Sequence, residues 1–303
     1  STGSFGQVIT AASVIPGNYV FNDVDVNKAT SVVLGPNAFS SADDSAAEGD
    51  NQTLVAIGSG VISAVERTKN SVYIGADVLS GYSGGSTRIS SAVVIGKGAG
   101  TGMAAASKIT IVGADAGNST VGANSVIIGY QANAAQYATS VGYQSGGTEN
   151  NVSVGSFAGA SIGASGVYIG YAAGMKINNG SADGNTFVGH ESGKDHTAGS
   201  NLTNTSNAVL IGYATRGTLN STNEIVIGAN ASGGGSNTTT IGNTSQIKVI
   251  FAGDAIISGS GGSTGSFGKL LGDGSEITGI STTPFPFTGS AGISGSLSID
   301  RQA

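Results

Sequence analysis

The chain has 303 residues, of which 52 are Gly and 4 are Pro, and it contains no Cys and no Trp. Only 10% of the residues are charged and the net charge is −6, which excludes a solvated disordered tail and argues against a nucleic-acid partner, because no basic stripe is present to neutralise phosphates. The composition also excludes a disulfide framework, a thiolate metal site and collagen, and no apolar run approaches the length of a membrane helix, about 18 residues.

Residues 1–28 come first and are predicted to form a lead-in strand region that caps the repeats that follow. The chain begins at Ser1 rather than at Met, and no signal peptide or charged n-region is recognisable there. We therefore expect a processed product or a segment of a longer protein.

Residues 29–250 repeat one phrase, in which a β-branched residue, a variable residue and a branched aliphatic residue precede a glycine. The phrase is clearest in SVGYQSGGTENNVSVGSFAG, residues 140–159. Its glycines, which we call anchor glycines, are 13 to 23 residues apart, or about 17 on average over the twelve intervals from first to last. They are Gly35, Gly58, Gly75, Gly96, Gly113, Gly129, Gly142, Gly155, Gly170, Gly189, Gly212, Gly228 and Gly242.

The positions before each anchor glycine alternate in character. Position −3 is always β-branched, position −2 is mixed, and position −1, directly before the glycine, is always a branched aliphatic. This period of two is typical of a short strand, so we predict that positions −1 and −3 face the core and that position −2 faces solvent or a neighbouring chain. From the second repeat onward, the predicted core residues at position −1 are Ile57, Ile74, Ile95, Val112, Ile128, Val141, Val154, Ile169, Val188, Ile211, Ile227 and Ile241.

Two further columns indicate turns. The residue at position +3, three after the glycine, is nearly always small, which suits a second short strand crossing a narrow interior. Asn recurs at position −5, where it favours a turn because it tolerates the left-handed backbone conformation, and stacked Asn amides can also bond one another. These residues are Asn70, Asn124, Asn150, Asn207, Asn223 and Asn237.

A unit of strand, turn, short strand and turn buries its apolar face only when copies stack. The predicted fold class is therefore all-β, a short-coil β-solenoid or β-roll of about thirteen coils. At about 4.8 Å per strand the array would be about 60 Å long. Because so thin a coil has little interior, we expect a second hydrophobic surface and side-by-side association of chains. A threefold bundle satisfies that need, although the pattern alone does not establish three.

The repeats NNVSVGSFAGA and NSVIIGYQANA resemble the short head repeats of trimeric autotransporter adhesins and, equally, the GYQA-type repeats of bacteriophage tail fibres. In both families such repeats imply a trimeric β-roll or β-solenoid. The resemblance covers residues 29–250 and therefore implies an intertwined homotrimeric fibre.

Residues 251–303 form a Gly-, Ser- and Thr-rich segment in which PFPF, at Pro284–Phe287, cannot be helical, so we predict short strands intertwined between chains. TTTIGNTSQIKVIFAGDAI (238–256) resembles the stretch that closes such arrays in phage fibres. KLLGDGSEITGI (269–280) resembles the GDGSxLTGI-type motif of phage fibre proteins, with Ile277 in place of the usual Leu. The phrase STGSFG opens the chain and recurs at 263–268, as in modular fibre building blocks.

Candidate catalytic and metal-binding groups are few. His190 and His196, the only histidines, are six residues apart rather than the four of a zinc-protease helix, and the acidic loop 41–50 lacks the calcium spacing of an EF-hand. A glycan-cleaving tailspike would need two carboxylates in one groove, and the acids of the array show no such pairing. We therefore predict polar loops, no catalytic, cofactor or metal site, and no enzyme activity.

Aromatic residues at position +1, directly after an anchor glycine, could stack on receptor sugars, because such rings are amphipathic. We favour the alternative that they stack on one another or fill a seam between chains. The candidate receptor-facing residues are Tyr130, Tyr143, Tyr171, Tyr213 and His190. Stronger receptor candidates are the longer coils, because insertions in solenoids emerge as loops on one face. These insertions are 36–53, 79–92, 175–185 and 193–207.

Together these features predict a structural and adhesive segment of a phage tail fibre, located in the virion, that provides reach and attaches to a host-surface glycan or protein receptor. Its expected partners are further copies in a homotrimer and other fibre or virion proteins, with no cofactor, no nucleic acid and no membrane insertion. A bacterial surface adhesin or extracellular filament is the alternative. An ice-binding solenoid is disfavoured, because its Thr residues occupy the column predicted to face inward. They are Thr110, Thr139, Thr186 and Thr239.

Overall fold

The structure is a computed structural model that describes residues 32–35, 38, 52–61, 68–80, 89–103, 107–119, 121–160, 165–175, 183–195, 202, 204–246 and 249–250. The chain divides into two compact units, Ser1–Lys248 and Val249–Ala303. The predicted lead-in region 1–28 and the predicted strands of 251–303 lie outside the described residues. The fold described here is therefore that of the repeat array.

The described residues are all-β, which confirms the predicted fold class, and none of them is helical. The strands are β1 (Val32–Leu34), β2 (Gln52–Ile57), β3 (Thr68–Ile74), β4 (Ile89–Ser90), β5 (Ala92–Ile95), β6 (Ile109–Val112), β7 (Val126–Ile128), β8 (Asn133–Ala134), β9 (Thr139–Val141), β10 (Gly146–Gly147), β11 (Val152–Val154), β12 (Val167–Ile169), β13 (Thr186–Val188), β14 (Val209–Ile211), β15 (Ile225–Ile227) and β16 (Thr239–Ile241).

One parallel sheet of 14 strands runs through the array, in the order β1-β2-β3-β5-β6-β7-β9-β11-β12-β13-β14-β15-β16, with β4 beside β3. Equivalent positions of successive repeats lie opposite one another, as Ile127 does with Ser140. Each strand on that path ends directly before an anchor glycine. The chain is therefore a β-solenoid in which each repeat supplies one rung of the sheet.

A second, shorter set of pairings follows the anchor glycines. β8 pairs in parallel with β10, through Asn133 with Gly146 and Ala134 with Gly147. Single bridges join Met103 to Val121, Ser206 to Thr222 and Arg216 to Ser232. Within the described ranges, the predicted second strand is thus formed in the shortest coils and reduced to isolated bridges in longer ones.

The interior of the coils is filled by position −2. All of the described side chains at this position in the second to twelfth repeats are fully buried: Ala56, Tyr73, Val94, Ile111, Ile127, Ser140, Ser153, Tyr168, Phe187, Leu210 and Val226. Position +3 lies inside with them, since the hydroxyl oxygens of Ser140 and Ser145 are 2.6 Å apart. The small residues of that column leave room for the position −2 side chain.

The prediction that position −1 faces the core is therefore wrong for the single chain. Its residues are half-buried or exposed, with Ile128 at 39% and Ile169 at 40% of their full exposure. Strand alternation shows only that positions −1 and −3 share a face; it does not say which face is inside. The residues that were predicted to lie in the core but are half-buried or exposed are Ile57, Ile74, Ile95, Val112, Ile128, Val141, Val154, Ile169, Val188, Ile211, Ile227 and Ile241.

The corners before the strands adopt the left-handed conformation that the Asn column predicts. All six Asn residues at position −5 have φ between 52° and 60°. The side-chain amide of Asn223 donates to Asn237 at 3.1 Å, so one pair also bonds along the stack. Lys108 and Tyr137 adopt the same conformation in their own coils, which shows that Asn is favoured at this corner but not required.

The anchor glycines are required by the stacking of the coils. At Gly142, φ is +140°, and a Cβ atom would lie 2.4 Å from the carbonyl oxygen of Gly155 in the next coil. At Gly129, φ is +132° and the equivalent distance to Gly142 is 2.2 Å. The backbone of one coil therefore occupies the space that any side chain of its neighbour would need.

Candidate functional site

The outward side of the sheet is an uncharged aliphatic surface, which we call the outer face and define as positions −1 and −3 of the thirteen strands that precede anchor glycines. Its position −3 residues are Val32, Val55, Val72, Val93, Thr110, Val126, Thr139, Val152, Val167, Thr186, Val209, Ile225 and Thr239. With the position −1 column they form two parallel rows in which every residue is Val, Ile, Leu or Thr.

The size of the outer face sets it apart from ordinary surface apolar residues. Thirteen rungs at about 4.8 Å and a width of about 10 Å give an area of roughly 600 Å². Soluble monomers rarely expose contiguous apolar patches larger than a few hundred Å², and such patches mark sites of association. The outer face is therefore the first candidate for a partner-binding surface.

The threonines of the sheet lie on this outer face, so the expectation that they face inward is wrong as well. Thr186 pairs with Val167 on one side and with Val209 on the other. Valine or isoleucine separates the threonines in the same way elsewhere in the column. The described sheet therefore presents no continuous row of threonine for ice to bind.

Six rings form a second surface feature, which we call the aromatic ladder. Tyr130 stacks on Tyr143 with ring centroids 5.6 Å apart, and His190 stacks on Tyr171 at 4.9 Å and on Tyr213 at 5.2 Å. Phe157 bridges the two groups with edge-on contacts to Tyr143 at 5.3 Å and to Tyr171 at 6.0 Å. The rings therefore contact one another along the coils, as the first part of the favoured interpretation predicts, and its second part, a seam between chains, stays a prediction.

Backbone hydrogen bonds align the ladder. The N–H of the residue at position +2 donates to the carbonyl oxygen at position +1 of the preceding coil, as Gln144 does to Tyr130 at 2.9 Å and Glu191 to Tyr171 at 2.7 Å. Sequence reasoning missed Phe157, because its coil has Ser156 at position +1 and the ring comes one residue later. The signal that would have found it is an aromatic residue within two positions of the glycine.

The ladder leaves little ring surface for a ligand in its interior. Tyr171 and Tyr213 cover both faces of His190, and Tyr143 is covered by Tyr130 on one side and by the edge of Phe157 on the other. A sugar ring stacks on an aromatic face, not on its rim. Of the candidate receptor-facing residues, Tyr143, Tyr171 and His190 therefore present mainly ring edges to solvent.

Lys194 and Glu191 form an ion pair next to His190. Lys194 Nζ donates a hydrogen bond to Glu191 Oε1, and this bond raises the pKa of Lys194. His190 Nδ1 lies 4.0 Å from the other oxygen of Glu191. No cluster of three or more potential metal ligands occurs among the described residues. His196 and the acidic loop 41–50 lie outside those residues.

Glu224 is a buried carboxylate that sequence reasoning did not single out. It accepts hydrogen bonds from Thr218 N at 2.9 Å, Thr218 Oγ1 at 2.9 Å, Ser221 Oγ at 2.8 Å and Gly235 N at 2.9 Å. These four donors take the place of water, as a buried charge requires. Because Gly235 belongs to the following coil, Glu224 joins two coils and serves a structural role.

Comparison with protein-family models, with curated proteins and with solved structures found no match to this chain. Within the described part of the chain, no helix is long and apolar enough to cross a membrane. The features that bear on function are therefore the outer face and the aromatic ladder.

Proposed function

We propose that this chain is a structural and adhesive segment of a phage tail fibre and that it assembles as a homotrimer through the outer face. The observation that carries the proposal is the uncharged double row of branched aliphatic residues that a single chain leaves exposed. An area of roughly 600 Å² per chain approaches the 800 Å² or so that each partner buries in a standard stable interface.

A further copy of the chain is the partner that fits this face. Its rungs have the same spacing, so its side chains stay in step with those of the first chain along the whole array. The face carries no charge, so two chains of net charge −6 can meet there without burying like charges. The number three comes from the resemblance of the repeats to trimeric fibres and adhesins.

The outer face can be tested separately from the fold. Replacing Ile169 by Asp puts a charge on the outer face, where burial against another chain would be unfavourable. We expect the I169D variant to have the native mass of one chain and an unchanged circular dichroism spectrum. Ile169→Val is the matched control and should keep the mass of three chains. An I169D variant that remains a trimer would show that the chains associate elsewhere.

Attachment is the second part of the proposal. A stacked solenoid projects one end away from the other by about 4.8 Å for each repeat, which suits an appendage that must span a distance. The phage setting is favoured over a bacterial adhesin by the resemblance of residues 269–280 to phage fibre motifs.

Immunogold electron microscopy tests the setting. Antibodies raised against residues 126–246 should label fibres of virus particles. Label confined to the envelope of uninfected bacteria would instead support the adhesin alternative and overturn the phage assignment.

A further inference from the structure

The aromatic ladder ends at Tyr213, because the next coil has Ala229 at position +1. The N–H of Asn230 donates to the carbonyl oxygen of Tyr213 at 2.8 Å, so Ala229 occupies the place that the next ring of the ladder would take. His190 covers one face of Tyr213, and no ring of the described residues stacks on the other. Tyr213 is 53% exposed and Ala229 is also exposed.

The vacant place has the depth of one ring. Successive coils are about 4.8 Å apart, and stacked rings prefer centroid separations of about 4.5–7 Å. The stacked pairs of this ladder lie at 4.9 to 5.6 Å. A six-membered ring lying over Ala229 would therefore continue the ladder at its own spacing.

A cleft beside this place gives a second, independent observation. Its volume is about 450 Å³, within the range of about 300–1,000 Å³ typical of small-molecule sites. Asn230, the residue after Ala229, lines it, and the described residues of its lining are uncharged. The lining residues are Asn230, Ser232, Thr240, Ile241, Gly242, Asn243 and Thr244.

We propose that Tyr213, Ala229 and this cleft form a binding site for a neutral glycan, with one pyranose ring stacked on the free face of Tyr213. A pyranose has an apolar C–H face for the tyrosine and hydroxyl groups for the amides and hydroxyls of the cleft. An aromatic side chain of a protein partner could stack equally well but would offer no hydrogen bonds to the exposed amide of Asn230 or the exposed hydroxyls of Ser232 and Thr244. The described lining residues include no cation, which favours a neutral over an acidic sugar.

This site rests on the proposed attachment function and narrows its receptor to one chemical class. It also distinguishes Tyr213 from the inner rings of the ladder, whose faces are covered. The glycan cleft and the outer face share Ile241, but Ala229 lies outside the outer face and Ile169 lies outside the cleft, so substitutions at these two residues test the two proposals separately.

Substitution at Ala229 tests the site, with an array of neutral oligosaccharides from bacterial surfaces as the probe. Ala229→Arg would lay a guanidinium on the free face of Tyr213, since such cations stack on aromatic rings. Ala229→Gln would fill the same space without charge. We expect both variants to bind the glycan retained by the wild type at least tenfold more weakly. Ala229→Ser, which leaves the place open, should bind normally.

Ala76→Arg is a matched control at another position +1, between Ser59 and Lys97 in neighbouring coils, and it should also bind normally. Native mass is measured for every variant. If the wild type is a monomer and the Ala229→Arg variant loses glycan binding, the proposed trimer is overturned and this site is supported. Unchanged binding by both Ala229→Arg and Ala229→Gln would overturn the site. If the wild type binds no neutral glycan of the array but still binds cells stripped of polysaccharide, the receptor is a protein. That result would also overturn the site.

Discussion

Two neighbouring regions of the solenoid share one strand pattern but differ in what fills them. The narrow coils, from Gly129 to Gly155, have anchor glycines 13 residues apart, whereas the wide coils, from Gly170 to Gly212, have spacings of 19 and 23. The fully buried serines Ser140, Ser145 and Ser153 lie between Gly129 and Gly155, whereas the large buried residues Tyr168, Phe187 and Leu202 lie in the wide coils or in the strand that leads into them. The buried apolar residues accordingly form two clusters, which end at Ala138 and resume at Tyr168.

In this comparison the aromatic position −2 side chains, Tyr168 and Phe187, accompany the longer coils. Tyr168 and Phe187 meet edge to face with ring centroids 5.5 Å apart, an arrangement that needs the extra width. In the narrow coils Ser140 instead reaches Ser145 across the interior. The narrow coils therefore bury small side chains, serines and the alanines Ala132, Ala134 and Ala138, whereas the wide coils bury large apolar ones.

The largest expected loss of stability comes from replacing an anchor glycine, and it should occur in both regions. Replacing Gly142 in the narrow coils or Gly189 in the wide coils by Ala would set a Cβ atom 2.4 Å or 2.2 Å from the carbonyl oxygen of the next anchor glycine, at a strongly positive φ. We expect each to lower the free energy of unfolding by more than about 4 kcal/mol, measured by urea denaturation. If Gly189→Ala leaves the free energy of unfolding unchanged and Gly142→Ala lowers it, the wide coils can shift to relieve the clash.

The next effect separates the two regions. Phe187→Ala removes a fully buried ring from the wide coils and should lower the free energy of unfolding by about 3–5 kcal/mol, because the surrounding coils cannot close the cavity. Ser140→Ala in the narrow coils removes only the hydrogen bond to Ser145 and should lower it by about 1 kcal/mol. Equal losses in urea denaturation would contradict the assignment of apolar packing to the wide coils alone.

The smallest effect has the opposite sign. The hydroxyl of Ser153 is buried and has no hydrogen-bond partner, unlike that of Ser140. Ser153→Ala removes this unsatisfied group and should raise the free energy of unfolding by about 1 kcal/mol. Thermal unfolding followed by circular dichroism would detect the change as a higher Tm. A lower Tm would indicate that the hydroxyl is satisfied in solution.

The parts of the fold that sequence predicted are those fixed by backbone geometry. An Asn at a corner, as at Asn124, and a glycine at a close approach, as at Gly142, each have one local physical reason that the sequence records. The stacking of rings on consecutive coils followed from the same register, since Tyr130 and Tyr143 hold equivalent positions.

The inward direction of the strands could not be predicted from alternation, because exchanging the two faces leaves the pattern unchanged. The preference for aliphatic residues inside was misleading, since the outer face is the more uniformly aliphatic one. One partial signal pointed to the interior: the three aromatic residues at position −2, Tyr73, Tyr168 and Phe187, precede coils of 21, 19 and 23 residues. Glu224 was missed because its four donors come from two coils that only the fold brings together.

The central question is whether the chain is a monomer with an exposed outer face or an oligomer in which that face is buried. Light scattering on the full chain in solution measures this directly as the native mass. We predict the mass of three chains, held constant over a tenfold dilution, because the proposed trimer would cover the outer face. The mass of a single chain at all concentrations would contradict the proposal, since roughly 600 Å² of aliphatic surface would then remain exposed to water.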